Sequence, residues 1–537
     1  MSKLPELVYT PIDGIPATVN LLRTTFSTQK TRNVEYRLKQ LRKLYWGLKD
    51  NEQLILEACK KDLNKSSFET YMAEYGWVLN DIVFVQNNLP KWVKDEKAPD
   101  IPLANKLLAP HIRKEPLGTV LVIGAYNFPI QLSLGPVIGA IAAGCTVVLK
   151  PSESAPAAAA VLEKVFRESL DSTAYTVVQG AVPETTALLD QKWDKIFYTG
   201  GVGVGTIIAK KAAETLTPVT LELGGKNPAI VTKNADPRLA ARRLLWAKLH
   251  NAGQVCVSQN YIMVDQEILP ALLAELRTAY DEFFPQGARN SPDYSHIVNE
   301  RQFRRLKKML DESNGKIVMG GTMDESDLFF EPTVVQVESQ NDSLIAEESF
   351  GPLIPVLPVK DLDEAIKIAN DVHDTPLGVY PFGSKKETER ILNETRSGGA
   401  SVNDGFFHAA IPTLAFGGVG TSGQGAYRGR ASFDAFTHRR SVTTTPGWME
   451  SLLAVRYPPY TDKKTKQYKQ MSELKPNFDR EGNPKTNWLL TLVGLGAKGK
   501  GGGLVRWLVV LIVAYGMKQY RERALLYCRC DIPMAML

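Results

Sequence analysis

The chain has 537 residues, of which 44% are hydrophobic and 23% are charged. This composition excludes a disordered or fibrous protein, and the length exceeds what one hydrophobic core usually covers. The net charge of +6 is small for this length and does not indicate a nucleic-acid partner. The five cysteines lack metal-ligand spacing and favour a reducing compartment over a disulfide scaffold. We therefore expect a large protein of two or more folded units, without a structural zinc site.

Apolar residues recur with a helical period in residues 34–63, which predicts an N-terminal helical region. After Pro116, short β-rich runs alternate with helical stretches, and these runs are residues 119–123, 146–149, 175–178 and 195–198. The alternation predicts parallel βαβ units, and the nearly continuous apolar runs predict a doubly wound sheet that is covered on both faces. Residues 227–412 again mix apolar runs with helices, so we predict a second α/β unit there.

Two side chains stand out as candidates for catalysis. Cys256 ends the segment NAGQVC, just after a predicted helix, in a turn whose backbone amides can face a reacting oxygen. Most buried cysteines are small core residues, so this cysteine alone is weak evidence for a nucleophile. Glu222 lies within the apolar run LELGGK, where a carboxylate has either a chemical task or an ion-pair partner.

Two turns between a strand and a helix are further candidates. Asn127 lies in the segment GAYNFP, where its amide can donate to a developing oxyanion or simply close the turn. The segment YTGGVGVG contains Gly200 and Gly205 and opens a helix as a phosphate-binding turn does. Its glycine spacing differs from the usual GxGxxG pattern, so it is weak evidence by itself.

Taken in order, these motifs resemble the aldehyde dehydrogenase superfamily. The matching positions are Asn127, KPSE at 150–153, the turn at 200–205, Glu222, Cys256, ESFGP at 348–352 and FGGVG at 416–420. The resemblance runs from about residue 36 to residue 460. Residues 416–425 and 456–460 look like the class 3 branch, which includes membrane-bound fatty aldehyde dehydrogenases.

The resemblance implies an α/β fold in which a doubly wound, Rossmann-like cofactor domain is joined to an α/β catalytic domain. We expect five parts along the chain. They are N-terminal helices with the dinucleotide-binding domain (1–224), the catalytic domain (225–412), a return segment that closes the active site (413–460), a linker (461–500) and a hydrophobic membrane tail (501–537).

The resemblance also implies NAD(P)-dependent oxidation of an aldehyde to a carboxylic acid through a cysteine thiohemiacetal and a thioester. In that reaction Cys256 is the nucleophile, Glu222 the base and Asn127 an oxyanion donor. The implied cofactor contacts are Lys150 and Glu153 to the adenosine ribose, Gly200 to Gly205 at the pyrophosphate, and Glu348 and Phe350 at the nicotinamide ribose and ring. A carboxylate at Glu153 repels the extra phosphate of NADP, so we expect NAD, with NADP possible. No metal is expected.

The tail contains an apolar run at residues 507–517, with Trp507 and Tyr515 at its ends and Lys or Arg on both sides. This run is shorter than the roughly 20 residues that a spanning helix needs. It is either a membrane attachment, which its aromatic ends and basic flanks favour, or a helix packed on the protein. We expect attachment, with the catalytic part facing the cytosol from the endoplasmic reticulum, the mitochondrial outer membrane or lipid droplets.

An enzyme held at a membrane meets aldehydes that partition into lipid, so we expect long-chain fatty aldehydes as substrates. We also expect a homodimeric assembly. Fungal relatives that oxidise an apocarotenal in carotenoid acid formation are similar as well, including at residues 9–16, and provide the alternative substrate. A second alternative is a non-catalytic membrane protein on this fold, which we expect to lack Cys256, Glu222 or Asn127. Phe406, Phe407 and Ile411 line an apolar entrance or are ordinary core residues.

Overall fold

The computed structural model describes residues 3–485, together with residues 511–513, 515 and 518. The chain divides into two compact units. The first comprises Met1–Asp100 and Pro110–Thr443, and the second comprises Ile101–Ala109 and Thr444–Leu537. All candidate catalytic and cofactor residues belong to the first unit.

Helices and strands alternate through most of the described chain. The α-helices are α1 (Ile15–Ser27), α2 (Val34–Asp50), α3 (Glu52–Leu63), α4 (Ser67–Thr70), α5 (Gly76–Trp92), α6 (Gln131–Ala143), α7 (Pro156–Ser169), α8 (Val182–Leu189), α9 (Val202–Ala213), α10 (Pro237–Leu249), α11 (Leu269–Phe283), α12 (Glu300–Asp311), α13 (Ser343–Ala346), α14 (Leu362–Val372), α15 (Lys385–Glu394), α16 (Arg430–Ala435), α17 (Glu450–Leu453) and α18 (Asp462–Ser472). The strands are β1 (Glu96–Lys97), β2 (His111–Pro116), β3 (Thr119–Ile123), β4 (Thr146–Lys150), β5 (Tyr175–Val177), β6 (Lys195–Thr199), β7 (Val219–Glu222), β8 (Pro228–Val231), β9 (Tyr261–Asp265), β10 (Lys316–Met319), β11 (Met323–Asp324), β12 (Phe329–Phe330), β13 (Thr333–Gln336), β14 (Leu353–Val359), β15 (Gly378–Phe382), β16 (Gly399–Ala400), β17 (Gly423–Gln424) and β18 (Thr437–Val442).

The first large sheet has the order β17-β7-β6-β3-β4-β5. Its strands are parallel except β17, which runs antiparallel to β7. Strands β3, β4 and β6 are buried along their whole length, as their nearly continuous apolar sequences predict. Helix α6 is also buried on every side, because its residues are apolar or small around the whole circumference. The predicted doubly wound, Rossmann-like sheet is therefore confirmed, with strand ends within one residue of the predicted ones.

The second large sheet has the order β10-β13-β14-β9-β8-β15-β16 and forms the centre of another hydrophobic core. It is parallel except for β10, which runs antiparallel to β13. A small antiparallel sheet, β1-β2-β18, joins residues that are more than 300 positions apart in sequence. The predicted second α/β unit is thus present. The predicted domain boundaries after residues 224, 412 and 460 stay predictions.

The predicted N-terminal helical region is confirmed as two helices, α2 and α3. They are separated at Asn51, whose side chain donates to the Gly47 carbonyl and ends the first helix. Helix α2 begins at Asn33, whose side-chain oxygen accepts from the Tyr36 N–H. The helices pack their leucine faces against the first sheet's core.

The predicted membrane tail falls largely outside the described residues. Within the described part of the chain, no helix has the length and apolar character needed to cross a membrane. Of the apolar run 507–517, only residues 511–513 and 515 are described, and they are helical and exposed. Membrane attachment therefore stays a prediction.

Candidate active site

Four parallel strands deliver the candidate residues to one edge of the first sheet. Strands β3, β4, β6 and β7 point the same way, so their carboxyl ends meet at that edge. Lys150 and Glu222 are the last residues of β4 and β7, and the turn with Asn127 follows β3 directly. Gly200 follows β6. The topology thus brings together residues that are almost a hundred positions apart.

These residues line a cavity of about 620 Å³. The candidates that line it are Asn127, Lys150, Glu153, Gly200, Glu222, Cys256, Glu348 and Phe350. Gly205 lies instead in α9, where an added Cβ would lie 2.8 Å from a methyl carbon of Leu223. Gly205 therefore lets α9 pack closely on Leu223, the residue after β7, and it does not line the cavity.

A second cavity, of about 70 Å³, has a largely aromatic wall. Its aromatic lining residues are Trp77, Phe128, His250, Phe406, Phe416 and Tyr427. Cys256 lines this cavity as well as the larger one. Phe406 is in the wall, as one reading of the sequence predicted, whereas Phe407 and Ile411 are exposed and are not among the lining residues. Cys256 therefore borders both the larger cavity, called the polar cavity below because its charged side chains lie there among apolar ones, and the smaller, aromatic cavity.

Arg428 is a charged member of this apolar wall. Its guanidinium stacks on the Trp77 ring, 3.8 Å from the ring centroid, and lies 3.3 Å from an Asp81 carboxylate oxygen. A second nitrogen donates to the Ala410 carbonyl at 3.0 Å. The positive charge thus has a carboxylate partner beside the wall.

The loop that carries Cys256 has an unusual backbone. Asn251 and Ala252 both have φ near +51°, and Gly253 has φ +74°. A Cβ on Gly253 would overlap the backbone carbonyl oxygen of Gly351. Left-handed conformations in residues other than glycine cost free energy and persist only where surrounding contacts impose them.

Side-chain amides supply those contacts, and the sequence did not point to them. Gln254 donates to the Asn251 and His296 carbonyls at 3.1 and 3.0 Å and accepts from the Val298 N–H at 3.0 Å. Asn227, which is fully buried, donates to the Cys256 carbonyl at 2.8 Å. Their only signal in the sequence is amide side chains within apolar surroundings. Their hydrogen bonds hold this loop, which has no helix or strand to satisfy its backbone groups.

Asn127 and Glu222 are both buried close to the thiol. The Asn127 side chain donates to the Gln254 carbonyl at 3.0 Å, which occupies one of its two N–H bonds. Within the described residues, neither carboxyl oxygen of Glu222 has a hydrogen-bond partner, and burial raises the pKa of this carboxyl well above its usual range. Burial thus favours the protonated form, and this unpartnered carboxyl beside the cavity becomes a strong base when it loses its proton.

Burial raises the pKa of the Cys256 thiol to about 12, and the nearby carboxylates of Glu348 and Glu222 contribute to the rise. The backbone N–H groups of Cys256 and Val257 act in the opposite direction. Burial also raises the pKa of Glu348 to about 7, and the Gly225 N–H, Lys248 and Arg305 limit that rise. The thiol is therefore protonated at neutral pH and needs a base.

The polar cavity fits a dinucleotide. Lys150 and Glu153 form an ion pair of 2.6 Å at the end of β4, where both side chains can meet ribose hydroxyls. Gly201 precedes α9 without a side-chain cap, so the first N–H groups of the helix remain available to an anion. Gly224 lets the Glu348 carboxylate approach closely, because a Cβ there would overlap it. Phe350 contacts the Tyr126 ring edge-on, at 6.1 Å between centroids.

The first prediction concerns the loop geometry. We expect Gly253→Ala to lower the free energy of unfolding by about 1–3 kcal/mol more than Gly287→Ala, measured by urea unfolding. Both glycines have φ near +75°, but a Cβ on Gly287 meets no atom within 4 Å. The control therefore carries the backbone strain without the overlap. Equal losses of unfolding free energy in the two variants would show that the Gly351 carbonyl moves aside at no cost.

The second prediction concerns the thiol. We expect the rate of Cys256 alkylation by iodoacetamide to rise about tenfold per pH unit between pH 7 and pH 10 in the folded, cofactor-free protein. The reason is that a thiol with a pKa near 12 gains thiolate throughout this range. The same cysteine in the urea-unfolded chain is the control, and its rate levels off above about pH 8.5. A plateau at or below pH 8 in the folded protein would contradict the raised pKa.

Comparisons with known proteins agree with this geometry. The model of the "Aldehyde dehydrogenase family" matches residues 14–442. Beta-apo-4'-carotenal oxygenase of Neurospora crassa is 53% identical over 517 residues, which cover 96% of this chain and 97% of that protein. Aldehyde dehydrogenase family 3 member B1 of Bos taurus is 42% identical over 451 residues, covering 84% of this chain and 96% of that protein.

A solved structure, "Substrate bound state of Staphylococcus Aureus AldH", is 39% identical with a TM-score of 0.82. The match covers 85% of this chain and 99% of that chain. The family match spans both large sheets and every candidate residue. The chain therefore belongs to the aldehyde dehydrogenase family, in its class 3 branch, and is an NAD(P)-dependent aldehyde dehydrogenase.

Proposed function

We propose that this enzyme oxidises long apolar aldehydes to carboxylic acids, with NAD as the preferred oxidant, while its C-terminal tail holds it at a membrane. The observation that carries the proposal is the position of Cys256, which lines both a polar cavity suited to a dinucleotide and an aromatic cavity suited to an apolar chain. In this proposal an aldehyde carbon at this thiol has the first carbons of its chain against the aromatic wall and its reacting face toward the larger cavity.

The reaction begins with a proton transfer. Glu222, directly or through water, takes the proton of the Cys256 thiol, and the thiolate adds to the aldehyde carbon to form a thiohemiacetal. A carboxyl whose pKa is raised by burial is a stronger base once it is ionised, and the thiolate of a high-pKa thiol is a stronger nucleophile.

The addition converts the carbonyl oxygen into an oxyanion. The second N–H of the Asn127 amide and the backbone N–H of Cys256 are the proposed donors to this oxygen. One such donor typically contributes ~3 kcal/mol of transition-state stabilisation. Gln254 supports this role because its carbonyl accepts the first N–H of the amide and fixes its plane.

Lys150, Glu153, the first turn of α9, Glu348 and Phe350 are the residues that would hold the cofactor. When bound, NAD(P) accepts the two electrons whose loss converts the thiohemiacetal into a thioester. Glu222 releases the thiol proton to solvent and then deprotonates a water that attacks the thioester. Collapse of the adduct releases the carboxylic acid and the Cys256 thiolate, and the proton held by Glu222 returns to the sulfur and restores the thiol. The carboxylate of Glu153 favours NAD over NADP, since it repels the additional phosphate.

Two kinds of apolar aldehyde are candidate substrates. The Neurospora crassa relative is named for beta-apo-4'-carotenal and is similar over nearly its whole length, which supports an apocarotenal as the substrate. Long-chain fatty aldehydes are the other candidate, and the class 3 membership supports them. Turnover of purified enzyme on an apocarotenal, hexadecanal and a short aldehyde, each with NAD and with NADP, distinguishes these substrates and cofactors.

The third prediction tests the proposed roles of Cys256 and Glu222. We expect Cys256→Ala to abolish aldehyde oxidation with little effect on NAD affinity, because the thiol forms the covalent intermediate and the cofactor contacts are other side chains. We expect Glu222→Gln to show at most one slow turnover that forms NADH, because the thiol lacks its base, and no steady turnover, because the thioester lacks its base as well. Rapid-mixing absorbance at 340 nm measures both. A first turnover as fast as wild type, seen as an NADH burst, would restrict Glu222 to thioester hydrolysis, and steady turnover in this variant would contradict both roles.

The fourth prediction concerns the tail. We expect truncation after Pro484 to move the protein from the membrane fraction to the soluble fraction and to preserve turnover of short aldehydes. The physical reason is that residues 507–517 supply the apolar area for lipid burial, whereas the candidate site lies upstream. Turnover of long aldehydes should fall more when they are presented in vesicles than in detergent. If the truncated protein stays membrane-bound, the apolar run is not the anchor.

A further inference from the structure

We propose that Lys65 and Glu74, a buried ion pair from the N-terminal helical region, are positioning residues that hold the oxyanion donor Asn127 against Cys256. The proposal rests on the proposed role of Asn127 in the reaction. It adds two residues that lie more than fifty positions before Asn127 and outside the motifs of the site.

The pair contacts both ends of the segment that carries Asn127. The Lys65 ammonium donates to a Glu74 carboxylate oxygen at 2.6 Å and to the Asn127 backbone carbonyl at 2.7 Å. The second Glu74 oxygen accepts from the Ile130 N–H at 2.8 Å. Residues 127 to 130 are thus held at their first carbonyl and their last N–H by one ion pair. Both side chains of the pair are 0% exposed.

The same contacts connect the Asn127 turn with the cysteine loop. The Asn127 carbonyl also accepts from the Asn251 side chain at 2.8 Å, and the Asn127 side chain donates to the Gln254 carbonyl. Lys65 therefore fixes the peptide whose carbonyl and side chain both bond to the loop of Cys256. A shift of this peptide moves the amide relative to the thiol.

Local structure explains how the two side chains reach this position. Lys65 follows α3, which ends at Asn64 in a left-handed conformation with φ +54°. Glu74 lies in a π-helical turn, Tyr71–Tyr75, between α4 and α5. Such turns widen a helix by one residue and are frequent at functional sites. Gly76 permits the turn, because a Cβ there would lie 2.7 Å from the Tyr71 carbonyl oxygen.

A contribution to folding stability does not by itself explain why this ion pair is present. Removing two charges from water is costly, and apolar residues of similar volume often replace a buried ion pair with no loss of stability. The ammonium additionally lies over the Phe128 ring, 4.2 Å from its centroid, and Phe128 lines the aromatic cavity. The geometry that the pair imposes on residues 127–130 is what an apolar replacement cannot supply.

The fifth prediction is a double-mutant cycle in the full-length enzyme. We expect Lys65→Met to lower kcat by about 10- to 100-fold with the KM for NAD within about twofold of wild type, because a misplaced oxyanion donor loses part of its contribution. In the Asn127→Ala background the same substitution should change kcat by less than about twofold, since the donor is already absent.

Alkylation of Cys256 by iodoacetamide is the second measurement. That displacement at carbon creates no oxyanion, so its rate in Lys65→Met should stay near the wild-type rate while aldehyde turnover falls. Lys114→Met is the matched control. Lys114 is 2% exposed and pairs with Glu96 at 2.8 Å, away from the candidate site, and we expect kcat to be unchanged. If Lys65→Met does not fold, Glu74→Gln, which keeps the side-chain volume, takes its place in the same cycle.

A merely structural pair gives a different result. Equal losses of kcat from Lys65→Met in the wild-type and Asn127→Ala backgrounds, or a parallel loss of alkylation, would overturn the positioning role. Full turnover in Asn127→Ala alone would instead remove the proposed oxyanion role of Asn127. The two failures are therefore distinguishable.

Discussion

Enclosure of ionisable groups at the end of a parallel sheet sets the chemistry of this enzyme. Cys256, Glu222 and Glu348 lie on one cavity, and burial is the largest cause of the raised pKa of each. Loss of hydration disfavours every charged form, so the resting site avoids a thiolate beside two carboxylates. Reaction then depends on ionisation of Glu222, on transfer of the thiol proton to that carboxylate, and on donors that face the new negative charge.

Such an enclosure requires a rigid backbone where no regular structure is available. Residues 251–256 cross the interior with three successive residues in left-handed conformations. Buried backbone groups must be hydrogen-bonded, and here amide side chains provide the bonds that a helix or strand normally provides. Asn227 and Gln254 are therefore as necessary to the position of the thiol as the strands are to the position of Glu222.

The two cavities divide the work of recognition. The larger one presents an ion pair and the amino end of a helix, which suit ribose and phosphate groups. The smaller one presents aromatic rings, and the Arg428 guanidinium in its wall pairs with Asp81. Because Cys256 lines both, polar and apolar ligands meet at one sulfur atom.

The sequence by itself determined the features that depend on residues close together in the chain. The apolar runs before Gly124 and Lys150 predicted buried parallel strands, and the ordered motifs around Asn127, Glu222 and Cys256 identified the family and the candidate residues. These signals are readable because strand burial and turn chemistry depend on neighbouring residues in the chain.

Tertiary structure decided what depends on distant contacts. Gly205 belongs to the motif but packs on Leu223 and does not line the cavity. Lys65 contacts both Asn127 and Glu74, and Glu74 lies in a π-helical turn. No pattern of spacing encodes these contacts, since each joins segments whose separation in space is fixed by sheet order and helix packing. The raised pKa of the thiol also depends on the tertiary structure, because desolvation is a property of the enclosed site and not of the cysteine.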